Sequence, residues 1–421
     1  MQKQLFSASL SLVLLTVLFF GTSVKGSGQE EISPSFPAFN EAFVSLLSIE
    51  EEHTPIQTED LKSQESLIQE LLTEGFHIKV DEASYAFPAQ SKDIILTKTE
   101  QGTGLNFSTE FMDFMIDSLN AQVAEPAENM TLLSADETKV SRAEFEGKIV
   151  DGREVVQNLT EQMIEAALQK GENESTAVLR KVEGKIINQT GKDLGPLELL
   201  AQGRSKFSGS SPDRAFNVRK ALNEKFNAIL IPPGAEFSYV EWLGPIEYGG
   251  WKQAYTIFKG TQLERAPAGG VCQISTTIYR AALDAGLEIT EQRNHSLYII
   301  YYEDYGDGID ATVFPGEQDL KFVNNTPNTI LMVAQEEGDE DAVVRFFGED
   351  DGRSTEFIGP YTASNQTEES RAAVGELGIG QMAWKVKTTL QDGSQEEKWL
   401  FSNYMSIAQQ HREPPEVLRL P

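Results

Sequence analysis

The chain has one cysteine, Cys272, in 421 residues. No intramolecular disulfide can therefore form, and each folded region has to be held by its own buried apolar side chains. The length allows two or three such domains. Hydrophobic residues at 40% and charged residues at 24% are the proportions of a folded chain rather than a disordered one. The 65 acidic and 35 basic residues leave a formal charge of −30. A chain this acidic is repelled by phosphate backbones, which excludes nucleic acid as a main partner and disfavours adsorption to anionic lipid.

The N-terminus reads as an export signal. Lys3 supplies positive charge, Leu10 to Phe20 is apolar apart from Ser11 and Thr16, and Val24 and Gly26 offer small residues before Ser27. Residues 1–26 are thus expected to be a signal peptide, followed by a linker rich in Pro, Ser and Glu over 27–56. The apolar run is shorter than the roughly 20 residues of a membrane span. An uncleaved signal would be the one membrane attachment, because no later stretch is long and apolar enough and no cysteine near Gly26 could carry a lipid. The expected location is exported, in the cell envelope or outside it. A lone thiol is unusual there, since exposed thiols outside the cytoplasm are readily oxidised. A buried, inert cysteine is the plain alternative to a reactive one.

Further along, Leu61, Leu67, Ile68, Leu71 and Leu72 make a helical stripe that Gly75 ends. Ile78–Val80 and Ile94–Leu96 read as short strands, and Phe111, Met115 and Leu119 as another helical face. Ala143 to Val150 is strand-like. Val155, Leu159, Ile164 and Leu168 predict an amphipathic helix stopped by Gly171, and Ala177 to Val182 a strand. With its "EFEGKIVDGREVV" stretch, this block resembles a small peptidoglycan-binding domain found ahead of cell-wall transpeptidase domains. The α+β region over 57–195 is assigned that role by resemblance, against a plain spacer domain. Residues 340–421 form a β-rich extension, in which Asp392-Gly393 is a hairpin turn between alternating segments.

The chemistry lies between these regions. The sequence Ala268-Gly269-Gly270-Val271-Cys272-Gln273 precedes a helical face of Ile274, Ile278, Ala281, Ala282 and Ala285, with Gly286 as the stop. Cys272 therefore starts a helix. The helix dipole and first-turn N–H groups favour thiolate over thiol and suit an oxyanion. Gly270 lets the backbone and a substrate approach closely. Of the four histidines, His53, His77 and His411 lie elsewhere, and His295 alone shares this dense segment. It opens a β-like run to Tyr302. A turn at Tyr305-Gly306-Asp307-Gly308 leads to a second short strand, Asp310 to Phe314. Two such strands would set Asp310 beside His295, with Asp319 a rival for the third position. Cysteine at a helix start, then histidine, then an acid resembles papain-fold enzymes of the transglutaminase type. Cys272 would be nucleophile, His295 general base and acid, and Asp310 the group that orients the imidazole. Gln273, Arg293 and Trp251 are candidate substrate contacts, with Tyr248 and Tyr255 as further aromatic candidates. No residue cluster has metal-ligand spacing and no nucleotide loop is present, so no metal or cofactor is expected.

Over residues 200–335 the chain resembles the VanW family of exported bacterial proteins. The resemblance is carried by "RAFNVRKALNEKFNAILIPPGAEFSYVEWLGP", "GGWKQAYTIFKG", "GGVCQISTTIYRAALDAGLEI", "RNHSLYI", "GIDATVF" and "DLKFVNNT". It implies an α+β protein whose C-terminal papain/transglutaminase-like Cys-His domain follows one or two small α+β domains. It implies an L,D-transpeptidase-like acyl transfer on peptidoglycan stem peptides through Cys272. A wall peptidase or amidase, and a non-catalytic wall-binding scaffold, are the competing readings. "IPPGAEFSYVEWLGP" departs from the family's usual wording outside the Cys–His segment, and bears on pocket shape rather than chemistry.

Overall fold

A computed structural model describes residues 58–99, 102–258, 262–338 and 340–405. The export signal, the linker, His53 and His411 lie outside them. No helix among the described residues is long and apolar enough to cross a membrane, which says nothing of a β-barrel. The chain divides into two compact units, each with mixed helix and strand. One runs to Glu128 and takes in Val150–Gly184; the other comprises Asn129–Ile149 and everything from Lys185.

In the first unit, α1 (Thr58–Thr73) buries Leu67 and Leu71. It gives way at Gly75, whose φ of +89° suits glycine and where a Cβ would lie 2.6 Å from the Phe87 backbone. The hairpin Phe76–Val80 and Ala83–Phe87 follows, with Glu174–Thr176 added in parallel on its other edge. α2 (Thr109–Val123) is capped by Ser108, which accepts from the Phe111 amide. It buries Phe111, Met115 and Leu119 at the spacing the sequence shows. α3 (Gln157–Gln169) departs in detail from the expected face. Val155 belongs to the preceding strand Gly152–Val155 and Leu159 is exposed, so Thr160, Ile164, Ala167 and Leu168 form the buried face. The strand expected over Ala143–Val150 shrinks to Glu144–Glu146, and that over Ala177–Val182 to Leu179–Val182.

The second unit is built on a five-stranded antiparallel sheet. Its order is Glu198–Lys206, Asp341–Gly348, Ile330–Glu337, Ile229–Ile231 and Ser141–Arg142. Two consequences bear on the boundaries drawn from sequence. The break at 335–340 falls inside the hairpin Ile330–Glu337/Asp341–Gly348, so the β-rich extension does not begin there. Residues 129–149, numbered within the 57–195 region, supply the edge strand Ser141–Arg142 and the buried Met130, Leu132, Ala143 and Ile149. A boundary in space need not be a change of composition along the chain.

α4 (Pro212–Lys220) starts at Ser211, whose hydroxyl accepts from the Arg214 amide, with proline in its first turn. α5 (Tyr239–Leu243) is a single turn. α6 (Cys272–Asp284) is buried almost throughout, Gln273 to Leu283 included, and packs on Glu198–Lys206 and Asp341–Gly348. The approach is close because Gly203 has no side chain: a Cβ there would lie 2.0 Å from the Thr277 carbonyl oxygen. Ser205 and Thr277 hydroxyls bond across the same contact at 2.6 Å. A small sheet of Glu236–Ser238, Lys321–Val323 and Glu288–Glu291 leads towards His295. After it, Ser354–Tyr361, α7 (Glu368–Val374), Gln381–Thr389 and Gln395–Asn403 complete the unit. The hairpin expected at Asp392-Gly393 is present.

Two expected strands are absent. His295 lies in a loop, and the run after it coils into a 3-10 helix, Ile300–Tyr305. Its consecutive tyrosines, Tyr301 and Tyr302, are both buried, which a strand with alternating faces would not allow. Asp310–Val313 is also irregular, and Phe314 makes only an isolated bridge to Gln318. The buried Arg280 of α6 holds this stretch. Its guanidinium donates to the carbonyls of Tyr302 (2.7 Å), Gly306 (2.8 Å), Ile309 (2.9 Å) and Arg204 (2.8 Å). These carbonyls are satisfied by a side chain where a sheet would have used backbone amides.

Candidate active site

Cys272 is the first residue of α6, partly exposed in the wall of a cavity of about 740 Å³. That volume is in the range of small-molecule sites. The first-turn amides are less free than the sequence suggests. Those of Gln273 and Ile274 are taken by the carbonyls of Gly270 (3.0 Å) and Val271 (2.9 Å). Gly270 has φ +101°, and a Cβ there would sit 2.8 Å from Cγ of Arg214, so the turn before Cys272 demands glycine.

Loops bring His295 and Asp310 to Cys272. The buried His295 ring is hydrogen-bonded to the thiol and, through Nδ1, to Asp310 Oδ2. With Nδ1 committed to Asp310, Nε2 is the ring nitrogen left for the sulfur. Asp310 is 2% exposed and held on every side. Oδ2 also accepts from the His295 amide at 2.7 Å, and Oδ1 from the Tyr404 hydroxyl at 2.5 Å. The Gln292 side chain donates to its carbonyl at 2.7 Å. Asp319 does not compete for this role. Its carboxylate accepts from Ser238 Oγ (2.6 Å) and the amides of Val240 (2.9 Å) and Leu320 (2.7 Å), fixing the start of α5.

The charges follow from these contacts. Burial pushes the Cys272 thiol up, but the hydrogen bond and charge of His295, with smaller help from the Val313 backbone and Thr312, bring it below the ordinary thiol range. Burial pushes His295 down, and Asp310 and Cys272 more than offset this, leaving it raised to about 9. Both shifts favour the thiolate–imidazolium form, with an acid behind it, a form able to attack a carbonyl and then protonate a leaving amine. The thiol also lies 3.5 Å from the Val313 carbonyl.

The other candidates separate. Arg293 is exposed and lines the cavity, as do Gly270 and Tyr255. Gln273 is fully buried and is not a lining residue. Its Oε1 accepts from Arg214 at 2.8 Å and its Nε2 donates to Ser205 at 3.0 Å, because α6 turns that face towards the sheet. Trp251 is also not a lining residue; it packs on the apolar core. Tyr248 is 92% exposed and stands apart from the cavity. The sequence reading passed over Arg214, Tyr301, Tyr302 and Tyr404. Arg214 carries no local sign of function, since it sits between Asp213 and Ala215 in an ordinary helix start. Tyr404 is remote in sequence, and only the fold brings it to Asp310.

Fold and site together define a mixed α and β protein with a cysteine–histidine–aspartate constellation at the N-terminus of a buried helix. Residues 213–347 match the family described as VanW like protein, so this segment of the chain is similar to that family. YoaR of Bacillus subtilis (strain 168), named an uncharacterized protein, is 31% identical over 140 residues, which are 33% of this chain and 45% of the relative. The vancomycin B-type resistance protein VanW of Enterococcus faecalis (strain ATCC 700802 / V583) is 29% identical over 120 residues, 28% of this chain and 43% of the relative. The chain thus spans less than half the length of either relative. No solved structure matches.

Proposed function

We propose that this is an exported cell-envelope enzyme that uses Cys272 for acyl transfer on peptidoglycan stem peptides, in the manner of an L,D-transpeptidase. The observation that carries the reading is the Cys272–His295–Asp310 chain in the wall of a cavity large enough for a peptide. The relative's name, vancomycin B-type resistance protein, supports a wall substrate. In this reading the thiolate of Cys272 attacks a stem-peptide carbonyl. The C–N bond breaks as His295 protonates the leaving amine, and a thioester remains. An amine of a second stem then attacks the thioester, His295 takes its proton, and the thiolate is regenerated with a new amide. The C-terminal unit is read as papain/transglutaminase-like in its order of cysteine, histidine and acid. The first unit is read as a peptidoglycan-binding module.

The test is intact-mass spectrometry after incubation with purified tetrapeptide muropeptides, with Cys272→Ala in parallel. The expected result is a thioester adduct on the wild type only, and release of cross-linked dimer. An adduct that yields only shortened monomer would make the protein a hydrolase. A folded, reduced protein that gives neither adduct nor product would overturn the enzymatic reading.

A further inference from the structure

Arg214 is a buried cation with no carboxylate partner among the described residues. Its side chain is 5% exposed, yet it lines the same cavity as Cys272. Its hydrogen bonds go to neutral groups, Ser210 Oγ at 2.7 Å and Gln273 Oε1 at 2.8 Å, and its guanidinium lies 4.0 Å from the ring centre of Tyr301. Gln273 is itself fixed by Ser205, so two polar side chains and an aromatic face are spent on aiming one charge. Arg280, the other buried arginine of this helix layer, shows the contrast. It is saturated by four carbonyls and is not a lining residue.

A buried guanidinium is stable when its N–H groups are filled, as those of Arg280 are, and Arg214 has only two neutral side-chain acceptors among the described residues. The chain has carboxylates in excess, at 65, and none among the described residues is placed on Arg214. The cavity runs against the charge of the whole molecule. Arg214 and Arg293 line it beside the Cys272–His295 pair, and Glu317 is the one carboxylate among the described lining residues, in a chain of formal charge −30. The hydroxyl of Tyr301, in the same wall, is buried and has no hydrogen-bond partner among the described residues. A guanidinium fork and a free hydroxyl beside a nucleophile are what a planar anion needs.

We infer that Arg214 is a specificity residue that binds a carboxylate of the acyl donor beside the bond that Cys272 attacks. This rests on the acyl-transfer reading for the identity of the donor, but not for the recognition itself. The class of substrate is a peptide with a free carboxylate close to the scissile carbonyl, and an amidated end would be refused.

The test needs no bond cleavage. Cys272 of the full chain is alkylated with N-bromoacetyl-D-alanine and with its C-terminal amide, two reagents that differ in one carboxylate. The expected wild-type preference for the acid is at least tenfold over that of free cysteine. Arg214→Gln should remove the preference, the rate with the acid falling at least tenfold more than the rate with the amide. Arg214→Lys should keep part of it, and Arg293→Gln should leave most of it. A wild-type preference no greater than that of free cysteine overturns the inference without reference to any variant's folding. So does a fall of both rates together in a folded Arg214→Gln, which would make Arg214 a counter-charge to the thiolate. Failure of the muropeptide experiment with the acid preference intact would overturn the acyl-transfer reading and leave the recognition standing.

Discussion

At the scale of single residues, the site is decided by a competition between burial and pairing. Burial pushes the Cys272 thiol up and the His295 imidazolium down; their contact and Asp310 reverse both. The signs give a pH dependence. Alkylation of Cys272 needs thiolate, so its rate falls as pH drops through the lowered thiol value and shows no loss near pH 9. Acyl transfer also needs protonated His295, so it falls again as pH rises through about 9. Asp310→Asn removes the charge that raises His295. Each unit of pKa lost by the pair changes the thiolate fraction about tenfold, so alkylation by a neutral reagent near pH 7 should slow by roughly that factor. Stopped-flow alkylation across pH 5–10 checks this, and an unchanged profile would mean that Asp310 only positions the ring. The meeting of Cys272, His295 and Asp310 in space was legible because each bears a chemistry that needs few explanations, and a lone cysteine after two glycines narrows the search. Arg214 was not legible, because its meaning depends on the absence of a carboxylate in space. Gln273 and Trp251 were misjudged for the same reason, since nearness in sequence to the nucleophile does not fix which way a side chain faces.

At the scale of elements, periodicity served where burial is one-sided. α2 follows its apolar stripe, and the ends of α2 at Ser108 and of α6 at Gly286 follow cap chemistry. It failed between His295 and Phe314, where aromatic residues favour strands in general. Here Arg280 satisfies the backbone carbonyls, which lets a loop be buried without a sheet. The loop's position depends on α6, and that of α6 on its contact with the strand Glu198–Lys206. Gly203→Ala tests this link. Its Cβ would meet the Thr277 carbonyl at 2.0 Å, so the helix or the strand has to move. Such overpacking costs about 3 kcal/mol and should lower Tm by roughly 6–12 °C. Cys272 alkylation should slow as well, since the same helix carries the nucleophile. Gly378→Ala, where the nearest atom would be 3.5 Å away, is the control and should change Tm little. Equal effects of the two in calorimetry would show that the close approach does not govern the site.

At the scale of the whole molecule, domain boundaries were the least legible feature, because chain order and spatial order differ. The sequence changes character near residue 200, yet the unit holding the site also takes in Asn129–Ile149. That segment gives the edge strand Ser141–Arg142 and buries Met130, Leu132, Ala143 and Ile149 against Leu230, Leu331, Val333 and Phe347. Full burial of a large apolar side chain stabilises by about 1.5–3 kcal/mol, so Met130, Leu132 and Ile149 together contribute on the order of 5–9 kcal/mol. A domain's entire stability is about 5–15 kcal/mol. A chain cut at the compositional boundary, residues 200–421, should therefore fail to hold its fold despite carrying Cys272, His295, Asp310 and Tyr404. It should bind a hydrophobic dye, lack a cooperative melting transition, and alkylate Cys272 at the rate of a free thiol. A chain that keeps 129–149 and replaces only 150–184 by a short flexible link should melt cooperatively and retain the enhanced thiol reactivity. The comparison separates two accounts of the first 199 residues. If the 200–421 chain melts and reacts like the full chain, the earlier segment is only an attachment, and the site is a property of the VanW segment and its C-terminal strands alone. If it does not, the reactivity of one cysteine rests on a strand more than 100 residues before it.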